Sequence, residues 1–323
     1  MWRFIARRSI WAVFLFVAVT FVTYVVFFVA PNDPAKLAAG KSATPEQVEQ
    51  VAKYLNLDKP VWEQYAIWLK NLVLHGSLGR SFVNQRDVAD IVLSAAPVTA
   101  SLVFGGAVLW LLVSIPIGVL SAVKPRSLFD RGSMIFVLIG ISAHPLWIGL
   151  IFSYLFGYVL GWTPISGYCD FINPSLGAQC GGPVQWGYHL ILPWATFALL
   201  FSALYVRLIR ANVMETMSED YVRTARAKGA SSGRVMRSHI LRNSMLPVVT
   251  ILGMDIALAL GGAIFTETIY GLPGLGRSVI VAYEATDLPV IVGVVVFSTV
   301  VIILFNLIVD CLYAFVDPRI RLS

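Results

Sequence analysis

The chain has 323 residues, of which 58% are apolar and 13% are charged. Soluble domains average about 45–50% apolar and about 25% charged residues. This composition, with a mean hydropathy of +0.77, excludes an ordinary soluble enzyme and indicates that much of the apolar surface faces lipid. The formal net charge of +6 is typical of membrane proteins, whose cytoplasmic loops carry an excess of Lys and Arg. We therefore expect membrane lipid, and no nucleic acid, among its partners.

Six apolar stretches meet or approach the length of about 20 residues that a membrane-spanning helix needs. They are residues 9–30, 98–123, 134–160, 189–206, 245–266 and 289–316. The predicted fold is an all-α membrane protein with six transmembrane helices. Pro145 predicts a kink in the third helix, because proline lacks a backbone hydrogen-bond donor.

The distribution of Lys and Arg predicts that both termini are cytoplasmic. The N-terminus, the second and fourth connections and the C-terminus together hold 16 basic residues. On the opposite side, residues 161–188 hold none and the last connection holds only Arg277. Residues 31–97 hold seven, but this segment is long enough to escape the charge rule. The first apolar stretch has 22 residues, against about 7–15 in a signal-peptide core, which favours an uncleaved anchor over a cleaved signal peptide.

Residues 31–97 form the sizeable water-exposed segment between the first two spans. Thr44 and Pro45 predict the start of a helix over 45–56, and a second, amphipathic helix is predicted to end near His75 and Gly76. The predicted division is a first transmembrane helix at 1–30, an extracytoplasmic helical segment at 31–97, and a five-helix core at 98–323 with a cytoplasmic loop at 212–244. The outer segment is either a solvated decoration or a docking surface.

Cysteine placement gives a candidate disulfide and no candidate metal site. Cys169 and Cys180 both lie in the outer loop between the third and fourth spans, where an oxidising compartment would allow them to pair. The sequence leaves this pairing open. Cys311 lies alone in the last span and is predicted to be a small apolar residue.

The sequence has no motif for catalysis in this chain. It contains no Gly-x-x-x-x-Gly-Lys-Ser/Thr phosphate loop, no His-Glu-x-x-His and no Gly-x-Ser-x-Gly. Acids within spans are functional candidates, and Asp255 and Glu267 are candidates for a pathway or gate. A proton-coupled carrier using Asp255 is the rival hypothesis, although the internal repeats common in carriers are absent. A third hypothesis is a membrane scaffold that transports no substrate.

The 212–244 loop has a regular order of helix boundaries. Ser218 is a predicted N-cap before two acids, and Lys228 with Gly229 suits a helix end. A second helix is predicted to start at Ser231 or Ser232, and it carries several basic residues. This pattern predicts a bent helical pair that packs against a partner protein; contact of the basic residues with anionic lipid is the alternative.

Six short motifs are distributed between residues 78 and 321. They are LGRSF at 78–82, DYVRTARAKG at 220–229, LRNSMLP at 241–247, ETIY at 267–270, PGLG at 273–276 and DPRIR at 317–321. In this order they resemble the B-type permease subunits of dipeptide and oligopeptide ABC importers, within the binding-protein-dependent transport permeases.

The resemblance implies a location in the plasma or inner membrane and a loop that couples this chain to an ATPase. The implied coupling residues are Asp220, Tyr221, Arg223, Ala225, Arg226, Ala227, Lys228 and Gly229. The implied partners are a second homologous permease subunit, two ATP-binding subunits that carry ATP and Mg, and an extracytoplasmic substrate-binding protein. No cofactor is expected in this chain. Peptide is the expected substrate, although relatives of such permeases handle nickel, glutathione or sugars.

Overall fold

A computed structural model describes residues 2–29, 34–39, 43–54, 56–172, 180–261 and 263–316. Within these ranges the chain is mostly helical, and it has isolated bridges but no strand. The helices are α1 Trp2–Tyr24, α2 Pro34–Ala39, α3 Pro45–Tyr54, α4 Val61–His75, α5 Val88–Val123, α6 Leu128–Ser142, α7 Pro145–Phe152, α8 Pro183–Ser218, α9 Asp220–Ala227, α10 Ser232–Arg234, α11 Arg242–Ser244, α12 Leu246–Leu260, α13 Ile264–Tyr270, α14 Leu275–Glu284 and α15 Leu288–Val316. Stretches of π-helix follow α1, α7 and α10, at Val25–Val29, Ser153–Val159 and Val235–Leu241.

The membrane-protein class is confirmed, and the number of spans lies between four and six. Within the described part of the chain, four helical stretches are long and apolar enough to cross a membrane: Ala6–Val29, Val88–Val123, Pro183–Ser218 and Leu288–Val309. Two bent pairs, Leu128–Ser142 with Pro145–Val159 and Ser232–Ser244 with Leu246–Leu260, would make six if each pair is one span.

The predicted kink at Pro145 is a complete break in the helix. The axes on either side differ by 105°. His144 takes the N-cap position of α7, and its Nδ1 accepts a hydrogen bond from the Leu146 amide at 3.3 Å. Proline then occupies the first turn of α7, where its missing amide hydrogen costs nothing.

Several helix ends differ from the sequence prediction. α5 begins at Val88, ten residues before the predicted span, and α8 covers Pro183–Ser218 where 189–206 was predicted. Residues 207–218 of α8 include polar and charged side chains, so hydropathy ends that span early. The added residues 88–97 of α5 are mostly apolar, and Asp90 and Pro97 interrupt the apolar run there. In contrast, α12 ends at Leu260, six residues before the predicted end, and the chain starts again as α13 at Ile264.

The described residues cluster into two compact units. The first holds the described residues within 1–100, 257–264 and 273–316; the second holds those within 101–256 and 265–272. In the first unit, Tyr24 and Phe28 pack with Tyr65 of α4 and with Val292 and Val296 of α15. The Tyr24 hydroxyl donates to Gln64 Oε1 at 3.2 Å. These contacts fix the amphipathic helix α4 against the first apolar helix.

Helices α5 and α8 pack closely in the second unit and run in the same direction, since positions 105, 110 and 118 of α5 contact positions 194, 201 and 209 of α8. Trp110 of α5 is fully buried and stacks on Phe201 of α8, with ring centroids 4.6 Å apart. Gly105 faces the Trp194 indole so closely that an added Cβ would overlap the ring. Small residues allow apolar helices to approach in this way.

Candidate coupling segment and pathway residues

Helix α9 contains most of the implied coupling residues and exposes nearly all of them. Its buried residue is Val222, which is 0% exposed, so this face of the helix is covered within the second unit. The exposed positions are Asp220, Tyr221, Arg223, Arg226, Ala227 and Lys228, and Ala225 is half-buried. One face is therefore anchored, and the other presents a hydroxyl, an acid and several cations.

Gly229 ends α9 as the sequence predicts. Its φ of +81° lies in the left-handed region, where a residue with a Cβ is strained. The Gly229 amide donates to the Arg226 carbonyl at 3.0 Å, and the Ala230 amide donates to the Ala225 carbonyl at 3.2 Å. No atom lies within 4 Å of the place that a Gly229 Cβ would take. Backbone conformation, not crowding, therefore requires glycine here.

The second half of the segment returns to the start of α9. Val235 and Ile240 are buried, while Arg234, Arg237 and Arg242 are exposed. Asn243 Nδ2 donates to the Tyr221 hydroxyl at 2.9 Å. The described geometry is thus a bent helical pair with its two ends joined by a side-chain hydrogen bond.

Two details of the predicted loop are wrong. Ser218 does not cap α9: it is the last residue of α8, and its hydroxyl donates to the Glu215 carbonyl at 2.7 Å. Glu219 occupies the N-cap position without a side-chain hydrogen bond to the backbone. Residues 212–218 accordingly belong to α8, and the part outside it is residues 219–244, named here the 219–244 segment.

Asp255 lies on α12 and is half-buried. The hydroxyl of Tyr205, a residue of α8 that is 1% exposed, donates to Asp255 Oδ2 at 2.7 Å. This bond supplies a specific partner for the carboxyl group that the sequence marks in the fifth span. Buried carboxyl groups are normally hydrogen-bonded in this way.

Glu267 is 0% exposed on α13. Tyr270, at the end of the same helix, joins α13 to two others: its hydroxyl lies 2.8 Å from Thr196 Oγ1 and donates to the Gly149 carbonyl at 3.2 Å. Burial raises the pKa of the Tyr270 hydroxyl to about 12, so this group stays protonated. The ETIY motif thus provides interior packing contacts.

Cys169 and Cys180 form a disulfide with their Cα atoms 5.3 Å apart. His189 Nδ1 lies 3.2 Å from Cys169 Sγ and 2.9 Å from the Gln185 carbonyl oxygen. Among the described residues these two cysteines and His189 are the group close enough to hold a metal ion, but the disulfide uses both sulfur atoms. The loop is also attached to α13, because the Gly167 amide donates to the Tyr270 carbonyl at 2.8 Å.

A cavity of about 540 Å³ in the first unit was not predicted from the sequence. Tyr24, Trp68, Gln64, Asn71 and Arg80 are among its lining residues. They come from α1, α4 and the LGRSF motif, so no local pattern marks them as one site. The DPRIR motif at 317–321 lies outside the described residues.

Comparison with known families identifies the class of protein. Residues 114–322 match the family "Binding-protein-dependent transport system inner membrane component", and residues 1–103 match the N-terminal family of the same transport systems. The chain belongs to this family and is a permease subunit of an ABC importer. The resemblance stated from the sequence is confirmed, and no finding favours the proton-coupled carrier.

Individual relatives extend over the full chain. The dipeptide transport system permease protein DppB of Escherichia coli K12 is 38% identical, with 99% of each chain covered. A putative peptide transport system permease protein of Brucella abortus is 37% identical with the same coverage, and the di/tripeptide permease protein DppB of Pseudomonas aeruginosa is 36% identical. The solved structure of an amino acid ABC transporter with histidines has 16% identity and a TM-score of 0.49, covering 71% of this chain and 94% of that one.

Proposed function

We propose that this permease carries di- and oligopeptides that an extracytoplasmic substrate-binding protein delivers. The proposal is supported by full-length relatives whose names specify peptide, dipeptide or di/tripeptide transport. A second homologous permease subunit completes the pathway. ATP and Mg bind to two separate ATP-binding subunits, and this chain itself hydrolyses nothing.

The proposed topology has six spans in the plasma or inner membrane and both termini in the cytoplasm. Each bent helix pair then counts as one span. The excess of Lys and Arg in four connecting or terminal segments supports this orientation. It puts 31–97 on the extracytoplasmic side and the 219–244 segment in the cytoplasm, where ATP is available.

The 219–244 segment is the proposed contact with an ATP-binding subunit. One observation supports this assignment: α9 buries Val222 and leaves Tyr221, Arg223 and the following Lys228 exposed to a partner. A flexible linker would not need a buried residue such as Val222. A patch that binds anionic lipid would not need the acid Asp220 or the hydrogen bond between Asn243 and Tyr221.

Peptide passes between this chain and the second permease by alternating access. ATP binding on the partners shifts the 219–244 segment, and the membrane helices respond by opening to the other side. Asp255 and Glu267 are the proposed pathway or gate residues. Asp255 is half-buried on α12 and has the exposure that contact with a solvated pathway needs.

The experiment substitutes within the segment and measures assembly and uptake separately. Gly229→Asp and Ala225→Arg should leave membrane insertion intact and abolish ATP-dependent uptake of a labelled dipeptide. Lys53→Ala, which removes an exposed ion pair with Glu49 far along the sequence, is the control and should transport normally. Normal uptake by both segment variants would overturn the assignment, as would extraction of the tagged chain without ATP-binding subunits.

A further inference from the structure

Asp130 and Arg210 form a largely buried, two-point ion pair within the second unit. Arg210 Nε donates to Asp130 Oδ1 at 2.7 Å, and Nη2 donates to Oδ2 at 3.0 Å. The Asp130 residue is 5% exposed, and the Arg210 side chain is 24% exposed. Parallel donation of this kind fixes the orientation of both side chains.

The remaining acceptor positions of Asp130 are also used. The Ser121 hydroxyl, at the end of α5, donates to Oδ1, and the Arg126 amide, in the α5–α6 turn, donates to Oδ2 at 2.8 Å. The Asp130 amide donates to the Ser127 hydroxyl, the N-cap of α6, at 3.1 Å. Asp130 therefore joins the end of α5, the turn, the start of α6 and the C-terminal part of α8.

Stability alone is a weak reason for such a pair. Removing two charges from water costs about as much as their attraction returns, and well-packed apolar replacements of buried ion pairs are often neutral or stabilising. What the pair adds is a fixed geometry, because the planar guanidinium and the carboxylate meet in one arrangement. The pair is therefore better explained by a need to hold α8 in one position relative to the α5–α6 turn.

The pair lies on a direct physical connection to the 219–244 segment. Arg210 is eight residues before the end of α8 at Ser218, about 12 Å along the helix. Residues 211–218 contain neither Gly nor Pro, so this part of α8 has no hinge. α9 follows after Glu219 alone.

We propose that Asp130 and Arg210 are positioning residues that transmit movement of the 219–244 segment, through α8, to the joined ends of α5 and α6. This inference rests on the proposed coupling function. Without the pair, α8 can shift along the α5–α6 turn, and a movement imposed at α9 is lost before it reaches the membrane helices.

The test compares the double variant Asp130→Leu/Arg210→Met, which replaces the ions by apolar side chains, with Arg210→Lys and with the control Lys53→Ala. Each is purified in complex with its partner subunits and reconstituted. We expect the double variant to assemble and to hydrolyse ATP, while dipeptide transported per ATP falls at least about fivefold. Arg210→Lys keeps the positive charge but loses the two parallel hydrogen bonds, so the amount of dipeptide transported per ATP should fall less. Lys53→Ala should match the wild type.

A second readout does not depend on the substrate. A non-hydrolysable ATP analogue should change amide hydrogen exchange in both 219–244 and 121–131 of the wild-type complex. In the double variant the change should persist in 219–244 and disappear from 121–131. An unchanged transport ratio in the assembled double variant, or a persistent exchange change at 121–131, overturns the proposal. Loss of assembly in both the double variant and Arg210→Lys would assign the pair a folding role and overturn it as well.

Failure of the peptide proposal would look different. A wild-type complex that takes up no peptide but shows the nucleotide-dependent exchange change at 121–131 would contradict the substrate and leave the positioning role supported.

Discussion

Ser81 and Asp287, 206 residues apart in sequence, form a buried hydrogen bond within the first unit, with the Ser81 hydroxyl donating to Asp287 Oδ2. The Phe82 amide donates to the other carboxylate oxygen at 2.9 Å. Ser81 is 0% and Asp287 4% exposed. The LGRSF motif is thereby fixed to the residue that precedes α15.

Asp287→Ala should destabilise the protein. The substitution leaves the Ser81 hydroxyl and the Phe82 amide buried without their acceptor, which costs about 1–3 kcal/mol. Thermal unfolding of the detergent-purified protein should show a lower midpoint. Glu284→Ala, an exposed acid three residues earlier, is the control and should unfold like the wild type; equal midpoints for all three proteins would contradict the prediction.

Gly229→Ala should impair ATP-dependent uptake, and Gly233→Ala should not. Neither glycine has an atom within 4 Å of an added Cβ, and only Gly229 has a positive φ. Alanine at Gly229 is strained by roughly 1–2 kcal/mol, so the end of α9 must rearrange. Uptake is assayed directly, and the amount of ATP-binding subunit that co-purifies with each variant measures docking. If both variants behave alike, backbone conformation at Gly229 does not determine docking.

Asp255→Asn should preserve ATP-driven uptake, because an asparagine oxygen can still accept the hydrogen bond from Tyr205. A proton-coupled carrier would lose uptake completely, since the amide cannot bind and release a proton. Transport assayed with ATP, and separately with an imposed pH gradient, distinguishes the two. Tyr205→Phe, which removes the bond itself and costs about 0.5–1.5 kcal/mol, serves as the comparison for loss of local structure.

Cys169 and Cys180 should resist maleimide until the protein is reduced. In a Cys311→Ala background every labelled thiol belongs to this pair, so a mass-shift gel gives the result directly. The disulfide closes a short loop, which corresponds to about 2–4 kcal/mol of stabilisation. The pair Cys169→Ser/Cys180→Ser should therefore unfold at a lower temperature. Labelling without reductant would show that the bond is absent in the cell.

Gly105→Ala should disturb the packing of α5 on α8, whereas Gly132→Ala should be tolerated. A methyl group at Gly105 would overlap the Trp194 ring, and the same group at Gly132 meets nothing within 4 Å. Overpacking of this kind costs about 1–3 kcal/mol. Thermal unfolding and tryptophan fluorescence measure it. A stable Gly105 variant with an unchanged spectrum would mean that the helices separate easily.

The features that the sequence predicts correctly are local ones. The end of α4 before Gly76, the break before Pro145 and the end of α9 at Gly229 each depend on the conformational preferences of one or two residues. Such preferences act whatever the rest of the fold is. Hydropathy likewise finds the apolar part of each long helix, because it reports the solvent that the side chains face.

The features that the sequence does not predict depend on distant residues. Asp130 and Arg210 are 80 positions apart, and by charge alone Arg210 counts only as one of the basic residues that set the orientation. Ser81 is an unremarkable serine until the position of Asp287 is known. Helix lengths are underestimated from the sequence for a related reason: tertiary contacts help to hold the ends of α5 and α8 helical, and hydropathy does not record such contacts.

At 36 residues, α8 is about 54 Å long, and a hydrocarbon layer of about 30 Å cannot contain it. The excess of roughly 24 Å, less with a tilt, extends into the headgroup layers and the water at the two ends. In the proposed coupling, a nucleotide-driven push on α9 is applied at the end of this long helix, outside the hydrocarbon layer. A small rotation of the part within the membrane then requires a larger displacement of the end outside it, and the ATP-binding subunit can produce this rotation with a smaller force.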